Sequence, residues 1–320
     1  MSDLEKLRRL DFIADCAVRA CLLEVGADKP GNISPGKDFG DTTYDDYVLG
    51  SESIRPVIRE AALRGYGIKD DKNLRNVGIG ELINDGVSRV RKSHGGGNTH
   101  LGILMLFVPI AAAAGFSYER NGNLVLLQHN IRKVVESSTV EDALNLYDAI
   151  RAARPGGLGE SEYDARDELS KERLISEGLT FHYLMRMSSE RDRIAEELVN
   201  GMPIIFGIVA PMIRKLSGSF QDISMAVVQA SLSLLANMPD TLIARKAGLE
   251  RAEEVSAWAA DALERGGIYT PAGKSSVEEF DRKLREDGNM LNPGTTADLI
   301  AVSLFVLLLR GFHGGLPDAP

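Results

Sequence analysis

The sequence predicts an all-α fold: a single large multi-helix domain over 1–320 with buried central helices. Three observations carry that expectation. Apolar residues recur at helical spacing through most of the chain, whereas strand alternation and Asn-Gly hairpins flanked by alternating apolar residues are missing. Two stretches, 101–116 and 299–309, are apolar on every side, and such helices must be buried. Loops rich in Gly, Pro and Asp punctuate the rest, with no fixed-period repeat.

The elements follow in order. Residues 4–25 carry Leu7, Leu10, Ile13, Ala14, Ala17 and Cys21 at helical spacing. Lys29-Pro30-Gly31-Asn32 then opens a long polar loop to Asp46, of the length that is often functional or disordered. Helices are expected at 51–66 and 79–92. After Gly95-Gly96-Gly97, the 101–116 run is shorter than the roughly 20 residues of a bilayer span and Pro109 interrupts it, so it reads as a core helix. Asn98 or Thr99 can cap that helix. Its first turn and the glycines suit a phosphate, and they equally suit an ordinary turn and cap.

Helical spacing resumes at 124–136 and 140–153, the second capped by Ser138 or Thr139. Residues 160–193 are densely charged and helical in pattern, and 202–213 is apolar with Pro203 and Pro211. Helices at 223–235 and 249–263 follow, with Trp258 expected in a core contact. Residues 250–287 mix acid and base as exposed helix faces do. Buried-type helices lie on both sides of the break at 154–162, which favours one continuous core. About a dozen helices are expected in all.

Net charge is −9, and charged residues make up 26% of the 320, which argues against a nucleic-acid or acidic-membrane surface. Cys16 and Cys21, the two cysteines, have neither disulfide-framework nor zinc spacing. The N-terminal residues lack the apolar core of a signal peptide, and a cytoplasmic location is expected.

The chemistry gathers at loop-to-helix corners. They are Glu24 with Lys29 to Asn32; Asp38 with Asp41; Gly97-Asn98-Thr99-His100; Gly157 to Glu160 with Asp164; and Asn292 to Asp298. Asp240-Thr241 with Arg245-Lys246 makes a further candidate. Carboxylates at helix ends, with lysines and glycine turns, suit a magnesium-nucleotide site, because magnesium takes carboxylate, water and phosphate oxygens. Lysines and backbone N–H groups would neutralise the remaining phosphate charge. Each corner also has a plain structural reading: Thr295-x-x-Asp298 fits a capping box, and His100 can be a hydrogen-bonded structural histidine. Asp298, leading into a wholly apolar helix, is harder to dismiss as solvated. His94 and the other histidines show no metal spacing. The chain has no nucleophile elbow, His-Glu-x-x-His, Cys-x-x-Cys or Rossmann fingerprint.

Taken as an ordered set, the blocks resemble the triphosphoribosyl-dephospho-CoA synthase family. They are Glu24-Val25-x-x-x-Lys29-Pro30-Gly31-Asn32, Gly97-Asn98-Thr99-His100-x-Gly102, Gly159-Glu160, Asp240-Thr241 and Pro293-Gly294-x-x-Ala297-Asp298-Leu299. They run through nearly the whole chain. Departures lie at Lys37 to Gly40, where the family commonly has a histidine, at Ser161 to Asp164, and at Leu242, where it has asparagine. These make the chain similar to a divergent, archaeal-type branch. The resemblance implies an all-α transferase that moves the triphosphoribosyl group of ATP to the 2′-hydroxyl of 3′-dephospho-CoA, releasing adenine with magnesium assistance. It implies catalytic roles for Glu24, Asp41, His100, Glu160 and Asp298, with Asp41, Glu160 and Asp298 as metal ligands. ATP would be held by Lys29, Gly31, Asn32, Gly97, Asn98, Thr99, Asp240 and Lys246.

The expected partners are therefore small molecules, ATP and dephospho-CoA or a related acceptor. Neither nucleic acid nor membrane is expected, and a homo-oligomer is allowed for. The alternatives are a magnesium-dependent nucleotide hydrolase, an enzyme of another cofactor pathway on the same scaffold, or a non-catalytic nucleotide-binding protein.

Overall fold

The computed structural model describes residues 2–157, 163–220 and 222–312, and among them every named element is helical. In chain order the α-helices are α1 (Asp3–Val25), α2 (Tyr44–Ser53), α3 (Arg55–Tyr66), α4 (Ile79–Ser93), α5 (Leu101–Asn121), α6 (Leu127–Glu136), α7 (Val140–Ala153) and α8 (Glu168–Glu177). They continue as α9 (Phe181–Ser188), α10 (Arg193–Asn200), α11 (Ala210–Ser217), α12 (Ile223–Asn237), α13 (Thr241–Ala247), α14 (Leu249–Glu264), α15 (Pro271–Arg285) and α16 (Gly294–Leu309). Short 3₁₀ segments lie at Asp71–Val77 and Gly267–Tyr269, and one π-helical turn lies at Ile205–Val209.

The chain divides into two compact units. The first comprises Met1–Arg19, Leu49–Pro155 and Glu160–Pro203; the second comprises Ala20–Val48, Gly156–Gly159 and Ile204–Pro320. The unit boundary at Arg19–Ala20 falls within α1, so Cys16 belongs to the first unit and Cys21 to the second. Both are buried and outside any disulfide, and burial pushes the Cys16 thiol up to about 12.

In the first unit α3 packs on α5, and two glycines set how closely. A Cβ on Gly65 would lie 1.9 Å from the Ala112 carbonyl oxygen, and one on Gly115 would lie 2.0 Å from that of Ala62. Backbone meets backbone at this crossing. Gly115→Ala should therefore destabilise the protein by about 3 kcal/mol, the upper end of ordinary overpacking. Urea unfolding measures it, and wild-type stability would mean the helices do not approach this closely. The α4–α7 pair is tied in the same manner: Gly80 N–H donates to Asp142 Oδ1 at 2.8 Å. Asp142 also closes the capping box with Thr139, one of the two expected caps of α7.

The α5 helix is longer than the 101–116 run and continues through Pro109 to Asn121. By length and composition its Leu101–Arg120 part could cross a bilayer, yet 83% of its most apolar window is buried inside the protein. It is a core helix, and burial on all sides outweighs the hydrogen bond that Pro109 removes.

In the second unit α16 is buried on every face and packs against α11, α12 and α13. In the same unit α14 packs on both α12 and α15. Here Trp258 departs from its expected core contact. It is half-buried, with the Arg251 guanidinium 5.0 Å and the Lys283 ammonium 5.5 Å from its ring. The mixed charge of α14 and α15 supplies those cations, whose attraction for the ring face suits a partly exposed indole.

Boundaries shifted where local chemistry intervened. The expected 51–66 helix is two helices, because Pro56 sits at the start of α3, and α2 begins at Tyr44, inside the expected loop. The 160–193 segment breaks at Gly178, which adopts φ +68° as the C-cap of α8, and at Thr180, which caps α9.

Candidate active site

Most of the predicted site residues fall in the second unit, around the turn that leaves α1. Glu24, in the last turn of α1, pairs with Lys29 at 2.9 Å. Lys29 is 0% exposed, and its ammonium also donates to the Ala27 carbonyl at 3.1 Å and to the Glu24 carbonyl. An ammonium has three donors, and these contacts use all three. Lys29 thus closes the C-terminal end of α1, where unpaired carbonyls and the helix dipole favour a cation. Burial raises the Glu24 carboxyl above its ordinary range, with Lys29 pulling the other way.

Gly31 turns the chain with φ +70°, and a Cβ there would lie 2.6 Å from Leu284 Cδ1. Its N–H donates to Asp281 Oδ1 at 2.7 Å. The Asn32 side chain donates to the Pro30 carbonyl, and the Asn32 carbonyl accepts from Arg285. Further along, Asp38 accepts the Tyr44 N–H at 2.7 Å. Asp41 is exposed, and Asn289 Nδ2 reaches its two oxygens at 3.3 and 3.4 Å. The Asn289 carbonyl accepts from Lys246 Nζ at 3.0 Å. Burial lowers the Lys246 pKa, against the pull of Asp240 and Asp41.

Asp298 is half-buried near the start of α16. Glu24, Asp298 and Asp41 converge electrostatically on Tyr47, whose phenol is held neutral first by burial and then by those three carboxylates in that order. Tyr47 is absent from the sequence expectations; its one signal is that it directly follows Asp45-Asp46 at the end of the acidic loop.

Asp240, 2% exposed, is a two-helix cap. Oδ1 accepts the Leu242 and Ile243 N–H groups at 2.8 and 3.2 Å, and Oδ2 accepts the Thr296 N–H and hydroxyl at 2.7 and 2.8 Å. The Thr295-x-x-Asp298 capping box does not form: Pro293 occupies the cap position of α16 with no side-chain cap bond, and Asp240 serves the first turn instead. Burial raises the Asp240 pKa, against these donors. Arg245 Nε donates to the Gly157 carbonyl at 3.0 Å, while Glu160 lies outside the described residues.

Gly97, Asn98, Thr99 and His100 stand in the first unit. Asn98 Oδ1 accepts the Leu101 N–H at 3.2 Å, but the cap position of α5 falls to His100, with no side-chain cap bond, rather than to the expected Asn98 or Thr99. Thr99 does something else: its hydroxyl sits between His94 Nε2 at 3.2 Å and His100 Nδ1 at 2.7 Å. The Gly96 N–H donates to His94 Nδ1, which puts the His94 proton on Nε2. Following the donors, Thr99 donates to His100 Nδ1, and His100 Nε2 donates to Ser51 Oγ at 3.1 Å. His100 is 1% exposed, and burial, with His94 second, lowers its pKa to about 3, so it is neutral. Gly50 makes the room, since a Cβ there would lie 2.6 Å from His100 Cε1. The cavity beside Gly97, Asn98 and His100 offers about 10 Å³, space for one water.

Among the described residues no cluster of three or more His, Cys, Asp or Glu side chains could cage a metal ion.

The sequence profile described as ATP:dephospho-CoA triphosphoribosyl transferase matches residues 10–315. A Klebsiella pneumoniae 2-(5''-triphosphoribosyl)-3'-dephosphocoenzyme-A synthase is 23% identical over 319 residues, covering 97% of this chain and 99% of its own. A protein of Azotobacter vinelandii, provisionally given the same name, is 27% identical over 244 residues, covering 76% of this chain and 71% of its own. A crystal structure from Archaeoglobus fulgidus, provisionally named triphosphoribosyl-dephospho-CoA synthase, superposes with TM-score 0.61 at 24% identity. It covers 83% of this chain and 99% of that one, and this likeness speaks for the fold alone.

Proposed function

Since the chain belongs to the ATP:dephospho-CoA triphosphoribosyl transferase family, we propose how its own residues carry out that transfer. The enzyme moves the triphosphoribosyl group of ATP to 3′-dephospho-CoA. The ribose C1–N9 bond to adenine breaks, a bond from C1 to the 2′-oxygen of the acceptor forms, and the proton of that hydroxyl leaves with adenine. Breaking the C1–N9 bond builds positive charge on the ribose, which a facing carboxylate stabilises as in glycoside transfer.

The observation that carries the assignment is Asn289, whose carbonyl accepts from Lys246 Nζ and whose side chain reaches the Asp41 carboxylate, so that a cation and a carboxylate share one residue between them. Glu24 is held by Lys29, so Asp41 and Asp298, which solvent reaches, take the catalytic roles. Asp298 faces the developing charge and Asp41 accepts the proton. Lys246 is the cation for the triphosphate; Lys29 works through the loop it anchors. His100, neutral and hydrogen-bonded at both ring nitrogens, fixes the start of α5.

Magnesium fits this residue set as a shared ion. One or two carboxylates with phosphate and water oxygens satisfy it, so a protein cage is not required. Asp41 and Asp298 would hold it, and when bound it would neutralise triphosphate charge. The proposed location is the cytoplasm, with nucleotide-type small molecules as partners.

Chromatography of ATP, magnesium and protein, with and without 3′-dephospho-CoA, tests the reading. Adenine should appear only with dephospho-CoA, together with a heavier CoA species. ADP, AMP or pyrophosphate would replace the reading with phosphate chemistry, and intact ATP would leave a binding protein.

A further inference from the structure

We propose that Asp281, Arg285 and Asn289 form a positioning row that sets the Gly31–Asp41 loop for catalysis, with Asp281 as its hub. The inference rests on the transferase reading above and adds residues that no motif in the chain points to.

Asp281 and Arg285 stand one helical turn apart at the end of α15, and Asn289 lies in the turn just beyond it. Their contacts follow the loop in the same fashion. Asp281, 8% exposed, accepts from the Gly31 N–H at 2.7 Å, from Lys37 Nζ at 3.0 Å and from Arg285 Nε at 2.9 Å. Arg285 donates to the Asn32 carbonyl and lies 5.0 Å over the Phe39 ring. Asn289 reaches the Asp41 carboxylate. Gly31 admits the approach, because any side chain there would strike Leu284.

Charge is an expensive means of holding a loop that apolar packing could hold, since a partly buried carboxylate and its cations must first lose water. What charge-assisted hydrogen bonds add is fixed direction. Direction is what Asp41 lacks otherwise: it is exposed, so no surrounding core locates it. The rest of the outer face of α15, including Glu278, Glu279 and Arg282, is exposed and makes no such contact with the loop among the described hydrogen bonds.

The test compares the full-length wild type with Asp281→Asn, Arg285→Lys and Asn289→Ala. It follows kcat and KM for ATP by adenine release, the thermal midpoint, and amide hydrogen exchange of residues 28–43. Asp281→Asn should lower kcat about 10- to 100-fold, the scale of a small misplacement of a catalytic group. Exchange should speed up within that loop more than in the rest of the chain, and the kcat loss should persist after correction for any fall in the folded fraction. Arg285→Lys keeps its charge toward Asp281 and should fall between Asp281→Asn and wild type. Asn289→Ala touches no core contact and should lower kcat with the midpoint unchanged.

Unchanged kcat in all three variants, or losses that follow only the unfolded fraction, would overturn the proposal. If the wild type itself releases no adenine, the transferase reading fails on its own account. The exchange arm then still decides whether Asp281 holds the loop, and unchanged exchange counts against it.

Discussion

Lys29→Met should destabilise the protein by about 3–5 kcal/mol, the loss expected when one partner of a buried ion pair is removed and the other is stranded. The ammonium is fully buried against Glu24 Oε1 at 2.9 Å and also closes the carbonyl end of α1. Methionine fills a similar volume but strands the dry Glu24 carboxyl without its cation, so it either bears an unpaired charge or must take up a proton. Adding Glu24→Gln removes that charge, so the double variant should recover much of the loss. Denaturant unfolding of the two single variants and the double variant closes the cycle. A Lys29→Met effect within about 0.5 kcal/mol, as on a surface, would show that the pair is not buried. The same variants separate two roles for this lysine. A phosphate ligand would raise KM for ATP in folded enzyme, whereas an anchor chiefly lowers the folded fraction.

Asp298→Asn should lower kcat for adenine release by about 10²–10³, the range seen when one preorganised charge-stabilising group is lost from an active site. Asparagine keeps the shape, and the residue is only half-buried, so the melting temperature should stay close to wild type. Equal losses in kcat and kcat/KM would place the interaction in the transition state. A variant with wild-type kcat would remove Asp298 from the chemistry and leave it as a helix-end residue.

The buried helices were legible because α5 and α16 are apolar on every side, a pattern with no other stable solution in water. The Lys29–Asn32 turn was legible from its glycine and proline. Its contacts were not. Sequence spacing cannot tell an ammonium aimed at a ligand from one folded back on its own helix end, and here the distance to Glu24 decides. Asp240 illustrates a second limit. Its Asp-Thr start announces a cap, but the helix it also serves, α16, lies far along the chain, and a local capping box at Thr295 offered a nearer and incorrect answer. Asp281 is the extreme case: in a stretch of alternating acids and bases it looks like any solvated carboxylate, and only folding brings Gly31 to it. His94 shows no metal spacing and reads as structural or surface; its threonine partner, five residues on, leaves no pattern in the sequence.

The division of the two thiols supplies the protein with its own reporters. Cys16 belongs to one compact unit and Cys21 to the other, both are buried, and the chain has no other cysteine. Alkylation needs an exposed thiolate, and a thiol pushed up to about 12 is nearly all protonated at neutral pH. Modification of Cys16 therefore waits on opening of the structure around it. Mass spectrometry that counts the label at each cysteine would time the opening of each unit separately, with no foreign probe introduced.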